Sequence, residues 1–178
     1  MILTGMQIEA EVKAGTILID PFDSSFLNPN SYNFRIGRRM VEYPIGEVID
    51  TKIKPTVDEI DFSDAGLILQ PGRLYLGHTL ERMGSSRFVP LLGGRSSTGR
   101  LGLFVHITAP LGDIGYFGQW TLQLRATVPL KIYAGQKIGQ MTFIVPYGAI
   151  ESYAGKYQGG EGPQSYTPST SKPPKKID

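Results

Sequence analysis

Trp120-Thr121-Leu122-Gln123-Leu124-Arg125-Ala126 alternates without a break between apolar and polar side chains. A repeat of two is that of an extended strand, which puts Trp120, Leu122 and Leu124 on one face and Thr121, Gln123 and Arg125 on the other. A polar face on a central strand either meets solvent or lines a site. Working outward, Leu130–Tyr133 and Ile138–Val145 follow, and Leu103–Thr108, Phe88–Leu92, Leu74–Glu81, Gly66–Gln70 and Arg39–Tyr43 precede, all short and separated by Gly, Pro and Asp turns. Phe34–Gly37 alternates in the same way, and Ile17–Ile19 reads as a brief strand. Many short strands at close spacing predict a mainly β domain, a sandwich or a barrel.

One helix is predicted, near the start. Thr4 and Gln7 have the spacing of a capping box, with Gln7 reaching back to Thr4. Ile8, Val12 and Met6 then share a face, and Gly15 is a natural stop, giving a helix of about ten residues.

A chain of 178 residues forms one domain with a real core. We place that domain at 1–154, with 155–178 as a flexible tail rich in Gly, Pro, Ser, Thr and Lys. A net charge of +2 implies no nucleic-acid polymer, since the one basic run, Lys172–Lys176, stands at the extreme end. With no cysteine, and only His78 and His106 in no ligand spacing, the chain lacks the zinc ligands that most nucleobase deaminases use. The first residues have no basic segment followed by a long apolar one, and no apolar run is long enough to span a membrane. The expectation is a soluble, cytoplasmic protein with no membrane contact.

Gly94-Arg95-Ser96-Ser97-Thr98-Gly99-Arg100-Leu101-Gly102-Leu103 concentrates guanidinium forks, hydroxyls and glycine N–H groups. These hold a phosphate chain without a metal cage. Four other stretches accompany it: Ile19–Asp23 with Pro29–Gly37, Pro71–Glu81, Gly112–Gly118 with Trp120–Gln123, and Tyr133–Phe143 followed by Gly155–Gln158. In this order the five resemble the dCTP deaminase branch of the dUTPase-like superfamily over roughly residues 1–162.

The resemblance implies a distorted β-barrel, a homotrimer with sites at subunit boundaries, and a tail that closes over the nucleotide. It implies zinc-independent hydrolytic deamination of dCTP to dUTP and ammonia, with Mg2+ accompanying the triphosphate. By position, Arg95, Ser96, Ser97, Thr98, Gly99 and Arg100 match the phosphate-holding segment, with Arg100 also helping to place water. Thr108 and Ala109 match the turn at the base, Tyr116 an aromatic at the sugar, and Asp113 the aspartate near the deoxyribose. Thr121 and Leu122 flank position 123, and Tyr153, Lys156 and Gly160 belong to the tail side of the site.

Position 123 departs from the pattern. The family's catalytic glutamate stands in Thr-Leu-Glu, whereas this chain has Thr121-Leu122-Gln123. A carboxylate takes a proton from water and a neutral amide does not, so deamination is expected to be greatly reduced while deoxycytidine or deoxyuridine nucleotide binding survives. Gln123 is either an introduced substitution that traps substrate or a natural divergence. Asn33, where the family has aspartate, and Gly160-Glu161, where an acid beside a triphosphate would repel it, favour divergence. Two other functions fit: a dUTPase-like pyrophosphohydrolase in which Asp113 activates water, and a catalytically silent regulatory trimer. His78 and His106 read as buried structural histidines, and Arg125 as a surface arginine.

Overall fold

The computed structural model describes residues 1–106 and 108–168. The predicted basic run Lys172–Lys176 and the end of the tail lie outside the described residues. In chain order the elements are α1 (Gly5–Lys13), β1 (Ile17–Asp20), β2 (Leu27–Asn28), β3 (Ser31–Arg35), β4 (Arg39–Glu42), β5 (Asp58–Asp61) and β6 (Leu67–Leu69). They continue as β7 (Tyr75–Ser85), β8 (Val89–Gly94), α2 (Ser96–Gly99), β9 (Leu103–Val105), β10 (Phe117–Ala126), β11 (Leu130–Ile132) and β12 (Lys137–Ile144). The fold is mainly β with a short N-terminal helix, as the alternation predicts.

β7 organises the larger sheet. Along one edge it pairs antiparallel with β10, from Gly84 opposite Phe117 to Tyr75 opposite Leu124. Its other edge is divided between β4 at Tyr75 and Leu76 and β1 at Arg82–Ser85. β5 and β9 close the ends of the order β5-β4-β7-β10-β9. A second sheet runs β2-β3-β12-β8, and β11 pairs with β6 alone. Among the described residues none of these sheets closes on itself, so the barrel of the sequence expectation is an arrangement of open sheets around one core.

That core joins the two larger sheets. Tyr32, Phe34, Met141 and Phe143 from one sheet, and Tyr75, Met83, Leu122 and Leu124 from the other, lie in one buried cluster. Complete burial of side chains of this size stabilises the fold by about 1.5–3 kcal/mol each. Alternation holds where it was strongest: Leu122, Leu124 and Ala126 are buried while Arg125 is exposed.

Four local expectations change. At α1 the Thr4 hydroxyl caps the Gln7 amide, but the Gln7 side chain bonds Glu11 instead of reaching back, so only half of the capping box forms. α2, for which the sequence predicts no helix, is a single helical turn, Ser96–Gly99. Strand β9 stops at Val105, because His106 takes a left-handed φ of 60° and turns the chain away. His106 therefore ends a strand instead of sitting within one, and its Nδ1 is buried with no partner among the described residues. Asn33, the departure near the N-terminus, is a packing residue: its Nδ2 donates to the Phe26 carbonyl at 3.2 Å and to Asn28 Oδ1 at 3.1 Å, which an aspartate cannot do.

Candidate active site

Two segments share the outer edge of β10. Toward its C-terminal end, β9 pairs Leu103–Val105 with Leu124–Ala126, and the His106 amide adds a last bond to the Gln123 carbonyl at 3.1 Å. Toward its start, the chain beyond residue 155 runs alongside. Gly159 N donates to the Phe117 carbonyl at 3.0 Å, and Gln119 N donates to the Gly160 carbonyl at 2.8 Å. The Gln119 side chain accepts from Gly162 N at 2.7 Å, and the Thr121 hydroxyl accepts from Gln164 N at 2.9 Å. A cavity of ≈ 450 Å³ opens over the face of the sheet at Thr121 and Gln123, with Leu76 of β7 on one side and Gln164–Tyr166 of the tail on the other.

The cavity gathers Asp113, Tyr116, Thr121, Gln123 and Tyr153, five of the residues singled out in the sequence. Gln123 faces it, and its Oε1 accepts a hydrogen bond from the Thr108 hydroxyl at 2.9 Å. Tyr116 stands edge-on to Trp120 at 4.6 Å and to Tyr153 at 5.8 Å. Its hydroxyl donates to the Gln119 carbonyl at 2.8 Å. Burial, with Tyr153 beside it, pushes the Tyr116 phenol up to about 12, so it remains a neutral donor at any working pH. Asp113 is exposed, and its main-chain carbonyl closes the turn by accepting from Tyr116 N at 3.3 Å.

Two glycines of Gly112–Gly118 have steric reasons to be there. A Cβ on Gly112 would lie 2.2 Å from the Trp120 ring, and one on Gly118 would lie 2.8 Å from Gly160 N. The first lets the Asp113 loop sit against the indole. The second lets the tail reach the strand.

Other candidates stand elsewhere. Arg95–Arg100 occupy α2 and its flanks, where the Arg95 guanidinium donates to the Lys137 carbonyl at 3.2 Å and the buried Thr98 hydroxyl donates to Arg95 O at 3.0 Å. Neither they nor Ala109 line the cavity. Leu122 is fully buried on the core side of β10. Lys156 donates to the Thr167 carbonyl and lies over the rings of Tyr157 and Tyr166, 5.0 and 5.9 Å from their centroids. Gly160 contributes its backbone to β10. Glu161 pairs with Arg82 at 2.9 Å instead of pointing into the cavity, which removes the repulsion expected of it.

Sequence reasoning missed Tyr43 and Gln164–Tyr166, which also line the cavity. The Tyr43 hydroxyl accepts from Tyr166 N at 3.3 Å, and the Tyr166 hydroxyl donates to the Thr51 carbonyl at 2.7 Å. Tyr43 had a faint signal, as the aromatic end of a predicted strand. Gln164–Tyr166 had none, because a polar tail gives no pattern to read.

The comparisons with known proteins bear on this geometry. Residues 2–145 match the model of the dCTP deaminase-like family. The chain belongs to that family. A dUMP-forming dCTP deaminase of Cytophaga hutchinsonii is 44% identical over 165 residues, covering 92% of this chain and 94% of the relative. A dUMP-forming dCTP deaminase of Clostridium beijerinckii is 42% identical over the same shares. The crystal structure of 2'-deoxycytidine 5'-triphosphate deaminase from Agrobacterium tumefaciens superposes with a TM-score of 0.65 at 20% identity, over 82% of this chain and 46% of that one. That likeness carries the fold. The family match ends at residue 145, just before the segment that supplies Tyr153 and Gln164–Tyr166 to the cavity.

Among the described residues no group of three or more His, Cys, Asp or Glu is placed to hold a metal ion. This donor set does not fit a protein-held metal. Among the described residues no helix is long and apolar enough to cross a membrane.

Proposed function

We propose that this chain binds dCTP in the cavity over β10 and converts it hydrolytically, with the base against Gln123, which Thr108 holds, and the sugar near Tyr116 and Asp113. Deamination adds water at C4 and expels ammonia, giving dUTP. The relatives' dUMP-forming reaction extends the proposal to a second hydrolysis that releases diphosphate, with the Asp113 carboxylate the group in the cavity able to take a proton from that water. Magnesium enters as part of the triphosphate complex, and no step here is routed through it.

The observation that carries the reading is the position of Gln123, which faces the cavity and is hydrogen-bonded to the neighbouring base-turn threonine. An amide can position water but cannot deprotonate it, so this chain deaminates slowly. Asp113 is the one charged side chain lining the cavity among the described residues, and a triphosphate needs cations. This supports a homotrimer in which Arg95 and Arg100 of one copy serve the cavity of the next, as the family resemblance implies. The tail residues Tyr157 and Gln164–Tyr166 that line the cavity support a reading of the tail as the cover of the site.

The test is ammonia and dUMP release from dCTP with magnesium, comparing the wild type with Gln123→Glu. The carboxylate is expected to raise deamination by about 10²–10⁴, the usual contribution of a positioned base. Equal turnover by the two forms would remove position 123 from the chemistry.

A further inference from the structure

The amide at position 123 has an orientation, and the orientation carries information about the base. The Thr108 hydroxyl donates to Gln123 Oε1 at 2.9 Å, and Thr108 does not line the cavity, so the amide oxygen is drawn to a partner beside that space. The Nε2 protons are then the part of the amide left for whatever enters the space that Gln123 lines.

A donor at this position distinguishes the two pyrimidines of the reaction. Cytosine presents an amino group at C4, itself a donor, and uracil presents a carbonyl oxygen, an acceptor. A glutamate here accepts from the amino group and repels the carbonyl; the Gln123 amide as held by Thr108 does the reverse. We infer that Gln123 and Thr108 together make the cavity selective for 4-oxo pyrimidine deoxynucleotides, those of the deoxyuridine class, over 4-amino ones. The inference rests on the cavity being the nucleotide site. It goes beyond a lost base: this chain grips the deaminated nucleotide more firmly than the one awaiting deamination. Such a grip holds the base in place for hydrolysis of the phosphate chain.

The experiment is calorimetric titration of the full chain, with magnesium at constant pH, against α,β-imido-dUTP and α,β-imido-dCTP, neither of which can lose diphosphate. The wild type is expected to bind the uracil analogue about tenfold more tightly, the equivalent of about 1.4 kcal/mol and within the usual cost of facing one donor with another. Gln123→Leu, which removes the donor without supplying a base, is expected to lose the preference for the uracil analogue. Thr108→Val, which frees the amide to turn, is expected to bring the two affinities within about threefold without abolishing either. Equal affinities in the wild type, or a preference for the cytosine analogue, would overturn the inference and leave the nucleotide site standing. Binding of neither analogue would overturn both.

Discussion

Replacing Gly118 with alanine isolates what holds the tail to β10. The new methyl carbon would lie 2.8 Å from Gly160 N, 2.8 Å from the Tyr116 hydroxyl and 2.9 Å from Gly160 O. Ordinary carbon contacts need about 3.5 Å or more, so the tail backbone has to withdraw by more than half an ångström. Three hydrogen bonds depend on its position: Gly159 N to Phe117 O at 3.0 Å, Gln119 N to Gly160 O at 2.8 Å, and Gly162 N to Gln119 Oε1 at 2.7 Å. At about 1 kcal/mol net for each, the docked state loses roughly 3 kcal/mol, or two powers of ten in the opening equilibrium. Native-state hydrogen exchange reads this directly. The Gly159 and Gly162 amides are expected to exchange about 100-fold faster in Gly118→Ala, while the Leu124 amide in the same strand keeps its protection. If Gly159 and Gly162 exchange as in the wild type, the tail does not depend on this contact and the account of its docking is wrong.

Two other perturbations follow from buried polar groups. Glu81 is completely buried and accepts from Arg35 Nε at 2.6 Å and from Arg35 N at 2.9 Å. Glu81→Ala leaves Arg35 without its partner and is expected to cost about 3 kcal/mol in urea unfolding, whereas a loss below about 1 kcal/mol would mean the pair contributes little. His78 and His106 are held below the ordinary histidine range by burial, so the unfolded chain binds their protons more readily than the folded one. Their contribution is present above about pH 6.5 and is lost as pH falls through and below it, at up to about 1.4 kcal/mol per pH unit for each. Melting temperatures between pH 7.5 and 5 are expected to fall, and to fall less steeply in His78→Gln; an unchanged slope would show that His78 is not buried neutral.

The strands that alternate were readable and those that do not were not. Trp120–Ala126 carries its two faces in plain view because one of them packs in the core. β5, by contrast, is Asp-Glu-Ile-Asp on an edge, paired only with β4, with three of its four side chains exposed. A strand held by one ladder, with only Ile60 turned to the core, has no alternation to show. The described part of the tail shows another limit: its composition reads as loose, while the tail groups that bond β10 are mostly its own backbone atoms at Gly159, Gly160, Gly162 and Gln164, which composition cannot register. In the site, Asp113, Tyr116, Gln123 and Tyr153 were found through their motif surroundings and meet in one cavity. Arg95–Arg100, equally legible as a motif, stand away from that cavity within the chain, because a motif records residue order and says nothing of where the fold carries it.

The left-handed turn at His106 has a consequence for the edge of β10. Had the chain continued straight past Val105, β9 would have run on beside Thr121 and met the incoming tail, and that edge would have been sealed along its length. The edge is thus an unfinished seam, a short length of strand left without a ladder neighbour by one residue's change of direction. The side chains of Thr121 and Gln123, which floor the cavity, stand on this stretch, so they are carried by backbone that one ladder holds and a second leaves free.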